Sequence, residues 1–417
     1  MVIHSGDSRA QAGSPSVLRR LNVAHVLRTI RSEGPMSRGA VVTASGLSKP
    51  TVNEVVEGLL ADGLITESLD DGEQSPRRPG PKARLLQFNA RRGMVVGVDI
   101  GAAKLLALLS DLDGNILATV RHPTPDKAVK KLLEAIGEVV DEAVAQAGVG
   151  RDSLEVVVVG TPGVVDPSTG GVVFTPQFPD LHGQPLRDLL SQTLGFSVLV
   201  QSEAHLAVAG EHWRGAAAAL RNVVYVQMGV GVGMGILING EVYHGAAGAS
   251  GEVGYLPLGG EVPARVEGYG PFESAVGAGA FARLASSAIE RGKGEAILAA
   301  AVGAEPGPEA VLGALEAGDR AARAIVNRIL DTLCQGLTSI TAVLNPEMVV
   351  LGGGLARPLA AFLPRLEQAL AATVPVPPRL QITALGDRAV AMGALRLGIE
   401  HVETRLFEML GGPSAIS

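Results

Sequence analysis

The chain has 417 residues, of which 47% are hydrophobic and only 3% aromatic, with 54 glycines and a formal net charge of −7. This length predicts two or three domains, and the aliphatic, glycine-rich composition favours an α/β protein with many tight turns. A single cysteine, Cys334, excludes an internal disulfide and a cysteine-rich metal cluster. The first sixteen residues have no apolar signal core and no apolar run reaches about 18 residues, so we expect a cytoplasmic protein without a membrane partner.

The charge is distributed unevenly along the chain. Residues 1–92 carry 13 Lys+Arg and 9 Asp+Glu, a net charge of +4, while the remainder carries a net charge of −11. A basic front end on an acidic body favours a polyanionic partner for the front end only. A solvated charge bias is the alternative, and the motifs of the front end must decide between the two.

The front end has the pattern of three helices. Apolar residues recur at helical spacing over Pro15–Glu33, Ser37 is placed to cap a short second helix, and Ser48 to cap a third with Pro50 in its first turn. Gly63 ends the third helix. A helix, a short helix, a turn with glycine and a capped helix is the order of a helix-turn-helix. The inward positions of the second and third helices are predicted to be Val41, Val42, Val52, Val55, Val56, Leu59 and Leu60.

Two short strands are predicted next, over Leu64–Glu67 and Leu85–Phe88, and the loop between them contains PRRPGPKAR at residues 76–84. Two strands joined by a basic loop directly behind a helix-turn-helix favour a wing, whose cations suit a phosphate backbone or a minor groove. A solvated interdomain linker is the alternative. Polar residues near the start of the third helix lie off its apolar face, where base edges or phosphates are reached. The predicted DNA-binding residues are Ser48, Lys49, Thr51, Asn53, Glu54, Arg77, Arg78, Gly80 and Lys82.

The rest of the chain alternates between predicted strands and helices. Its two halves each start with a hairpin whose first strand runs into glycines, which implies two α/β lobes facing a cleft. The predicted strands are Val95–Ile100, Leu105–Leu109, Ile116–Val120, Leu154–Val159, Ser197–Val200, Val223–Val226, Ile236–Ile238 and Met348–Leu351. The predicted helices are Ala128–Ala147, one containing Ala204–Gly210, and Ala321–Leu344.

The second hairpin is the most informative stretch, with glycines at 229, 231, 233 and 235. Glycine lets a backbone come very close to another group. That group is either a phosphate held by backbone amides or a neighbouring element packed tightly on the strand. The glycines by themselves leave both interpretations open.

From about Leu21 to about His401, the chain resembles the ROK family (repressors, open reading frames and kinases), in its repressor branch. The resemblance is carried by LSKPTVNEVVEGLLADGLI, GVDIGAAK, GTPGVVD, VYVQMGVGVGMGILINGEVYHGAAGASGEVGY, NPEMVVLGGG and AVAMGALRLG. It implies a winged helix-turn-helix over residues 15–92, followed over residues 93–417 by an actin-like (ribonuclease H-type) two-lobe sugar-kinase fold that binds an effector and dimerises. Kinases of the family phosphorylate sugars with ATP, and its repressors bind operators and respond to sugars or sugar-dependent partners.

The motifs depart from those of the family's kinases. The loop Asp-x-Gly-Gly-Thr-Lys reads Asp99–Lys104 with Ala103 for the threonine, and Gly-Thr-Gly has Val230 at its centre. The catalytic Asn-Asp-x-Asn becomes Ser202–His205, which puts Glu203 at the aspartate's position. Lost hydroxyls and a carboxylate displaced by a methylene are unfavourable for phosphoryl transfer. We therefore predict no catalytic residues and no cofactor.

The zinc site of the family is also missing its ligands. Tyr255 replaces the histidine of Gly-Glu-Ile-Gly-His, and the three cysteine positions fall on about Ala264, Val266 and Pro271. None of these side chains can hold zinc, so no metal is predicted there. The histidines His182, His205 and His244 show no ligand-like spacing and are expected to make ordinary polar contacts.

The family's sugar-binding positions remain polar, although four of the six have changed, which disfavours a plain hexose. By resemblance, the predicted ligand-binding residues are Gln177, Ser202, Glu203, Glu252, Tyr255 and Glu273, of which Glu252 and Glu273 match the family pattern. A degenerate pocket filled by side chains or water is the alternative.

These features together predict a transcriptional repressor controlled by a small carbohydrate-type effector. Its expected partners are double-stranded operator DNA and a second copy of the chain, with a tetramer as the alternative to a homodimer. A sugar kinase with a DNA-binding head and a ligand-blind DNA-binding regulator are the competing hypotheses.

Overall fold

The structure is a computed structural model that describes residues 15–69, 84–125, 128–257, 268–301, 303 and 305–410. Over these ranges no helix combines the length and the apolar character needed to span a bilayer. The strands are β1 Met36–Ser37, β2 Ile65–Leu69, β3 Arg84–Phe88, β4 Met94–Ile100, β5 Lys104–Asp111, β6 Ile116–Pro123, β7 Leu154–Thr161, β8 Val164–Val165, β9 Val172–Phe174, β10 Val198–Ser202, β11 Val223–Met228, β12 Val232–Ile238, β13 Glu241–Val242, β14 Met348–Gly352 and β15 Arg379–Ile382.

The helices follow the same mixed order along the chain. They are α1 Pro15–Glu33, α2 Arg38–Ser45, α3 Lys49–Ala61, α4 Val129–Ala147, α5 Leu186–Leu194, α6 Glu203–Arg214, α7 Pro271–Val276, α8 Ala278–Glu290, α9 Glu295–Ala300, α10 Pro308–Glu316, α11 Arg320–Leu344, α12 Ala356–Leu359, α13 Leu363–Thr373 and α14 Ala389–Met409. All the strands and helices predicted from the sequence are present, with ends that differ by a few residues.

The described residues form two compact units. The smaller unit takes the residues up to Met94, the turn Asp111–Asn115 and the residues from Ile399 onward, and the larger unit takes Val95–Ser110 and Ile116–Gly398. The smaller unit thus includes two segments that follow the predicted 15–92 domain in sequence. The boundary between residues 92 and 93 stays a prediction.

The smaller unit contains the winged helix-turn-helix. Ser37 Oγ accepts a hydrogen bond from Ala40 N at 3.2 Å, and Ser48 Oγ accepts one from Thr51 N at 3.4 Å, so both predicted caps are made. Gly46 adopts a φ of +67° in the turn between α2 and α3, a conformation that glycine reaches without strain. Five predicted inward residues are buried, namely Val41, Val52, Val55, Val56 and Leu59. The other two, Val42 and Leu60, are half-buried.

The strands of this unit form a three-stranded antiparallel sheet in the order β1-β3-β2. The sequence pattern did not predict β1, because two residues are too few to show an alternation of apolar and polar side chains. The β2–β3 pair forms the base of the predicted wing. The loop that would form its tip, with Arg77, Arg78, Gly80 and Lys82, lies outside the described residues.

Arg31 of α1 joins several segments of the smaller unit. Its guanidinium donates to Glu403 Oε1 at 2.9 Å and to the Leu112 carbonyl oxygen at 2.6 Å, and it also pairs with Asp113. The same group lies 4.6 Å from the centroid of the Phe88 ring. One side chain therefore holds α1, β3, the turn between β5 and β6 and the end of α14 together within this unit.

The larger unit has two lobes, each built on a five-stranded sheet. The strand orders are β10-β7-β4-β5-β6 and β13-β12-β11-β14-β15. In the second sheet β11 pairs antiparallel with β12 and parallel with β14. These are the two similar α/β halves predicted from the sequence, and their buried strands are almost continuously apolar, as expected for sheets covered by helices on both faces.

The glycines of the β11–β12 hairpin differ in their surroundings. A Cβ at Gly235 would lie 2.1 Å from the Ala204 carbonyl oxygen of α6, so this glycine permits tight packing of a helix on the strand. A Cβ at Gly229 would meet no heavy atom within 4 Å, and Gly229 faces an open cleft instead. The tight-packing interpretation is confirmed at Gly235, and a phosphate held by the backbone near Gly229 stays a prediction.

Candidate functional site

A small cavity of about 40 Å³ in the larger unit is lined by polar side chains from both lobes. Ser202 ends β10, Glu203 begins α6, and Glu273 lies in the first turn of α7. All the residues predicted to bind a ligand line this cavity: Gln177, Ser202, Glu203, Glu252, Tyr255 and Glu273. The structure brings them together from positions 96 residues apart, and their role in binding stays a prediction.

Backbone hydrogen bonds fix the walls of the cavity. Glu273 Oε1 accepts from Val232 N at 2.7 Å and its Oε2 accepts from Gly270 N at 3.4 Å. Tyr255 Oη donates to the Gly268 carbonyl oxygen at 2.9 Å. A Cβ at Gly231 would lie 2.8 Å from Glu273 Oε1, so only glycine lets the second hairpin approach this carboxylate so closely.

The pKa values of the three carboxyl groups in the cavity are raised, mainly by burial. Burial raises the pKa of Glu203 to about 8, with further contributions from Asp99 and Glu252, and burial together with Glu273 raises the pKa of Glu252 to about 7. The pKa of Glu273 is raised by burial, an effect opposed by its two backbone hydrogen bonds. Several carboxylates in one poorly hydrated space favour either proton uptake or a ligand that supplies hydrogen-bond donors.

A second and larger cleft, of about 910 Å³, adjoins the cavity. Gln177, Glu203 and Gly231 line both spaces. Asp99 at the end of β4 also lines the cleft; its Oδ1 has no hydrogen-bond partner among the described residues, and burial raises its pKa to about 7. The cleft walls further include the glycine-containing segments 101–104, 229–231 and 353–354.

The far end of the cleft holds an ion-pair network. Asp387 Oδ2 lies 2.5 Å from Lys104 Nζ and 2.5 Å from an Arg121 nitrogen. Hydrogen bonding to Arg121, reinforced by Lys104, holds the pKa of Asp387 well below its usual range. The lysine of the Asp99–Lys104 loop is therefore already paired with a carboxylate of the chain.

Comparison with known proteins gives the family. The sequence pattern of the ROK family matches residues 95–401. The chain belongs to the ROK family. It is 24% identical to a xylose repressor of Caldicellulosiruptor bescii over 396 residues, which cover 94% of this chain and 98% of the relative.

Two solved structures show the same fold. One is a ROK family transcriptional regulator described as a homolog of the E. coli MLC protein, with a TM-score of 0.75, 21% identity, and coverage of 95% of this chain and 99% of that one. The other is a ROK family glucokinase from Streptomyces griseus in complex with glucose and AMPPNP, with a TM-score of 0.63 and 26% identity. It covers 73% of this chain and 99% of that chain. The family and the fold predicted from the sequence are confirmed.

Two acidic residues of the ROK domain, one lining the cleft and one bonded to the loop beside it, were missed by sequence reasoning. Glu211 of α6 is fully buried, and its carboxylate accepts hydrogen bonds from Ala216 N at 2.6 Å and Leu385 N at 3.1 Å. Asp387 pairs with Lys104 and Arg121 at the far end of the cleft. A single acidic residue in a helix or a loop gives no periodic signal, so the hydrogen-bond partners of Glu211 and the ion-pair partners of Asp387 could not be predicted from the sequence.

The three histidines make ordinary polar or ring contacts, as expected from the sequence. His205 and His244 contact each other, with ring centroids 4.9 Å apart and the planes at 80°. Thirty-nine residues separate them in the sequence, and the approach of α6 to the segment after β13 brings them together. His182 instead stacks edge-on against Phe174.

The described residues of the predicted DNA-binding surface lie at the start of α3. Ser48, Lys49 and Glu54 are exposed, and Thr51 and Asn53 are half-buried. Glu54 pairs with Arg19 of α1 at 3.2 Å, both side chains being mostly exposed. An exposed pair of this kind contributes little to stability and leaves the carboxylate accessible.

Proposed function

We propose that this protein is a DNA-binding transcriptional regulator, a repressor whose DNA affinity is controlled by a carbohydrate-type effector, and that it has no kinase activity. The observation that carries the proposal is the convergence of six polar side chains on one cavity in a chain that also contains a winged helix-turn-helix. The similarity to a xylose repressor over 98% of its length supports it.

The size of the cavity suggests how an effector acts. A space of about 40 Å³ holds only a few water molecules, so a sugar ring must displace part of the wall or extend into the adjoining cleft. A ligand shifts a conformational equilibrium only by its difference in affinity for the two states, typically ~1–3 kcal/mol. We therefore propose that the effector and the DNA favour different arrangements of the two lobes.

The chain would read DNA with the exposed polar start of α3 and with the wing loop. We further propose that it acts as a homodimer, because two identical recognition helices on a two-fold axis match a palindromic operator. The larger ROK unit would supply the dimer contacts.

Three features disfavour phosphoryl transfer. Lys104 is paired with Asp387, Ala103 and Val230 provide no hydroxyl to a phosphate, and Glu203 replaces the family's aspartate. Phosphoryl transfer depends on positioned donors around a highly charged group. The cleft of about 910 Å³ nevertheless keeps a kinase as the second candidate, and a steady-state assay with ATP and a panel of hexoses and pentoses tests it. Turnover at ordinary kinase rates would overturn the repressor-only proposal.

The proposal is tested by binding of the full-length protein to fluorescently labelled DNA from its own promoter region. Anisotropy is recorded over a salt titration and then with xylose, other sugars and sugar phosphates. We expect tight, salt-sensitive, sequence-preferring binding that one compound releases. Sequence-preferring binding that no compound changes would contradict effector control, and absence of specific binding would contradict the DNA-binding assignment.

A substitution in α3 sharpens that test. Lys49→Ala should weaken binding a few-fold for all sequences and reduce the slope of log K against log salt by about 1, as expected for one lost phosphate contact. Lys130→Ala, at an exposed position of α4, is the matched control and should leave both quantities unchanged. Equal effects of the two variants would show that α3 does not contact the phosphates.

A further inference from the structure

Within the described residues, the chain passes twice between the two lobes of the larger unit. The first crossing segment, residues 215–222, runs from α6 to β11, and the second crossing segment, residues 383–388, runs from β15 to α14. The helix α14 returns to the first sheet, since a Cβ at Gly97 of β4 would lie 2.5 Å from the Ala391 carbonyl oxygen. A change in the angle between the lobes must therefore be absorbed by these two segments.

The helices that flank the crossing segments pack directly on each other. A Cβ at Gly210 of α6 would lie 2.4 Å from the Ala389 carbonyl oxygen, and a Cβ at Gly393 of α14 would lie 1.7 Å from the Leu206 carbonyl oxygen. The two backbones approach each other too closely for a side chain at either position. Because such a close-packed contact resists deformation, the lobes are expected to turn at the segments beyond the helix ends.

Glu211, in the last turn of α6, is hydrogen-bonded to both crossing segments. Its Oε2 accepts from Ala216 N of the first segment at 2.6 Å and from Ala384 N of the second segment at 3.4 Å. Its Oε1 accepts from Leu385 N at 3.1 Å and from the Thr383 hydroxyl, both in the second segment. One carboxylate therefore joins two stretches of chain that are more than 160 residues apart.

The side chain of Glu211 is matched to these four donors. It is fully buried, and a buried carboxylate is costly unless hydrogen bonds compensate for the lost water. The C-terminal end of a helix also disfavours a negative charge. The donors from the two crossing segments supply the compensation. A glutamine would keep the shape, but its NH₂ group would face two of the donors.

The second crossing segment continues the connection to the first lobe. The Thr383 hydroxyl accepts from Gly386 N at 3.0 Å. The next residue, Asp387, pairs with Lys104 of β5 and Arg121 of β6. Hydrogen bonds and ion pairs thus run from the end of α6, through the second crossing segment, to two strands of the first sheet.

We propose that Glu211 couples the two crossing segments, so that they turn together when the lobes change their arrangement. With the carboxylate in place, the end of α6, Ala216 and residues 383–385 move as one body. Without these hydrogen bonds each segment bends independently, and the lobes sample a wider range of angles.

Glu211 is therefore a positioning residue for lobe movement. It lines neither the small cavity nor the cleft, so it acts on the lobes without touching a ligand. This role goes beyond the proposed function, because it requires neither an effector nor DNA, and it can be tested in the absence of both.

The test measures the distance between the lobes in the full-length protein. Spin labels are attached at Lys130→Cys in α4, which packs on β6, and at Gln368→Cys in α13, which packs on β15. Both positions are exposed, and Cys334→Ser removes the native thiol. Labelled chains are mixed with an excess of unlabelled chains, so that labels on different copies do not contribute. Double electron–electron resonance then gives the distribution of distances.

We expect Thr383→Val to broaden this distribution about twofold, because the half-buried valine keeps the shape of threonine and loses its hydroxyl. Thr383→Ser keeps the donor and should give the wild-type distribution. Thr193→Val is the matched control, since the Thr193 hydroxyl donates to the Leu189 carbonyl oxygen within α5. Glu211→Gln should broaden the distribution at least as much as Thr383→Val, and if this variant does not fold, Thr383→Val decides alone.

A purely structural role would lower the thermal unfolding temperature of Thr383→Val and leave the distances in the folded protein unchanged. That result would overturn the proposal. Equal broadening in Thr383→Ser or in Thr193→Val would also overturn it, because the effect would then not come from the lost hydrogen bond to Glu211.

Discussion

The two ends of the cleft in the ROK domain differ in how their charged side chains are arranged. At one end Glu203, Glu252 and Glu273 share a small cavity, and the pKa values of all three carboxyls are raised. At the other end Asp387 is bonded to Lys104 and Arg121, and its pKa is lowered. Like charges are crowded together in the first region, and opposite charges are paired in the second.

This difference indicates what each end can accept. At the carboxylate end three carboxyl groups face one small space, so a polyhydroxylated ligand would satisfy them through its hydroxyl groups. The cation end is the place where a phosphate chain would be held, and there the protein supplies its own anion. The contrast favours a chain that senses a neutral or donor-rich ligand over one that binds ATP.

The largest expected effect concerns Asp99, the buried carboxyl between the two ends. Its pKa is about 7 in the folded protein and ~3.9 in an unfolded chain, so between these values the folded state binds a proton that the unfolded state releases. The contribution of this group to the free energy of unfolding is fully present below about pH 4. It falls by up to roughly 4 kcal/mol as the pH rises to about 7. Asp99→Asn should weaken the decline in stability measured by denaturant unfolding from pH 5 to 8, and the decline that remains comes from Glu203 and Glu252, whose pKa values are also raised.

Asp166 supplies a control of opposite sign. Its pKa is lowered by hydrogen bonds from Ser168 and Thr169, so its contribution is present above the unfolded pKa and is lost as the pH falls. Asp166→Asn should leave the pH 5 to 8 dependence intact. If Asp99→Asn retained the wild-type dependence, the burial argument for Asp99 would fail.

A second prediction concerns the carboxylate end. Glu252→Gln keeps the shape of the side chain and removes its charge, and a hydrogen bond to a charged group contributes ~1.5–3 kcal/mol. We expect the sugar concentration that releases DNA to rise about 10- to 100-fold, with unchanged DNA affinity in the absence of sugar. Glu241→Gln, at an exposed position of β13, should behave as the wild type, and an equal shift in both variants would argue against a ligand at Glu252.

A third prediction concerns the cation end. Asp387→Asn frees Lys104 and Arg121, so the affinity for tripolyphosphate or an ATP analogue should rise about three- to tenfold, a modest change because the pair is largely exposed. Isothermal titration calorimetry measures it, with Asp188→Asn as the control in another exposed pair. Unchanged affinity would mean that the network does not block anions.

The smallest effect is expected from restoring the family's hydroxyls. The double variant Ala103→Thr, Val230→Thr should show no sugar phosphorylation, since Lys104 stays paired and Glu203 keeps its longer side chain. A coupled ADP-release assay with the sugar panel measures it. Turnover in this variant would show that two hydroxyls alone separate this chain from a kinase.

The helices of the winged helix-turn-helix were predictable because their signals are local. Ser37, Ser48 and the apolar residues at helical spacing lie within a few positions of the groups that they contact, so the pattern and the structure agree. The exception, β1, depends on pairing with β3 across about fifty residues. No pattern of neighbouring residues predicts that pairing.

For the candidate site, the sequence predicted which residues line the cavity but neither its size nor the pKa values of its carboxyl groups. The family motifs named the six lining residues, but the size of the cavity follows from how far the two sheets and α7 approach each other. The raised pKa values need the burial and the spacing of carboxyls that are distant in sequence. The His205–His244 contact went unpredicted for the same reason.

The sequence by itself determined the order of the elements, the two α/β lobes, the helix-turn-helix and the family, because periodicity, caps and motifs are properties of neighbouring residues. Tertiary structure alone decided which charges meet. It paired Asp387 with Lys104, buried Asp99 with one oxygen that has no hydrogen-bond partner among the described residues, and placed the Nδ1 atoms of His205 and His244 3.4 Å apart. Electrostatic energy depends on distance and burial in space, and sequence separation specifies neither of them.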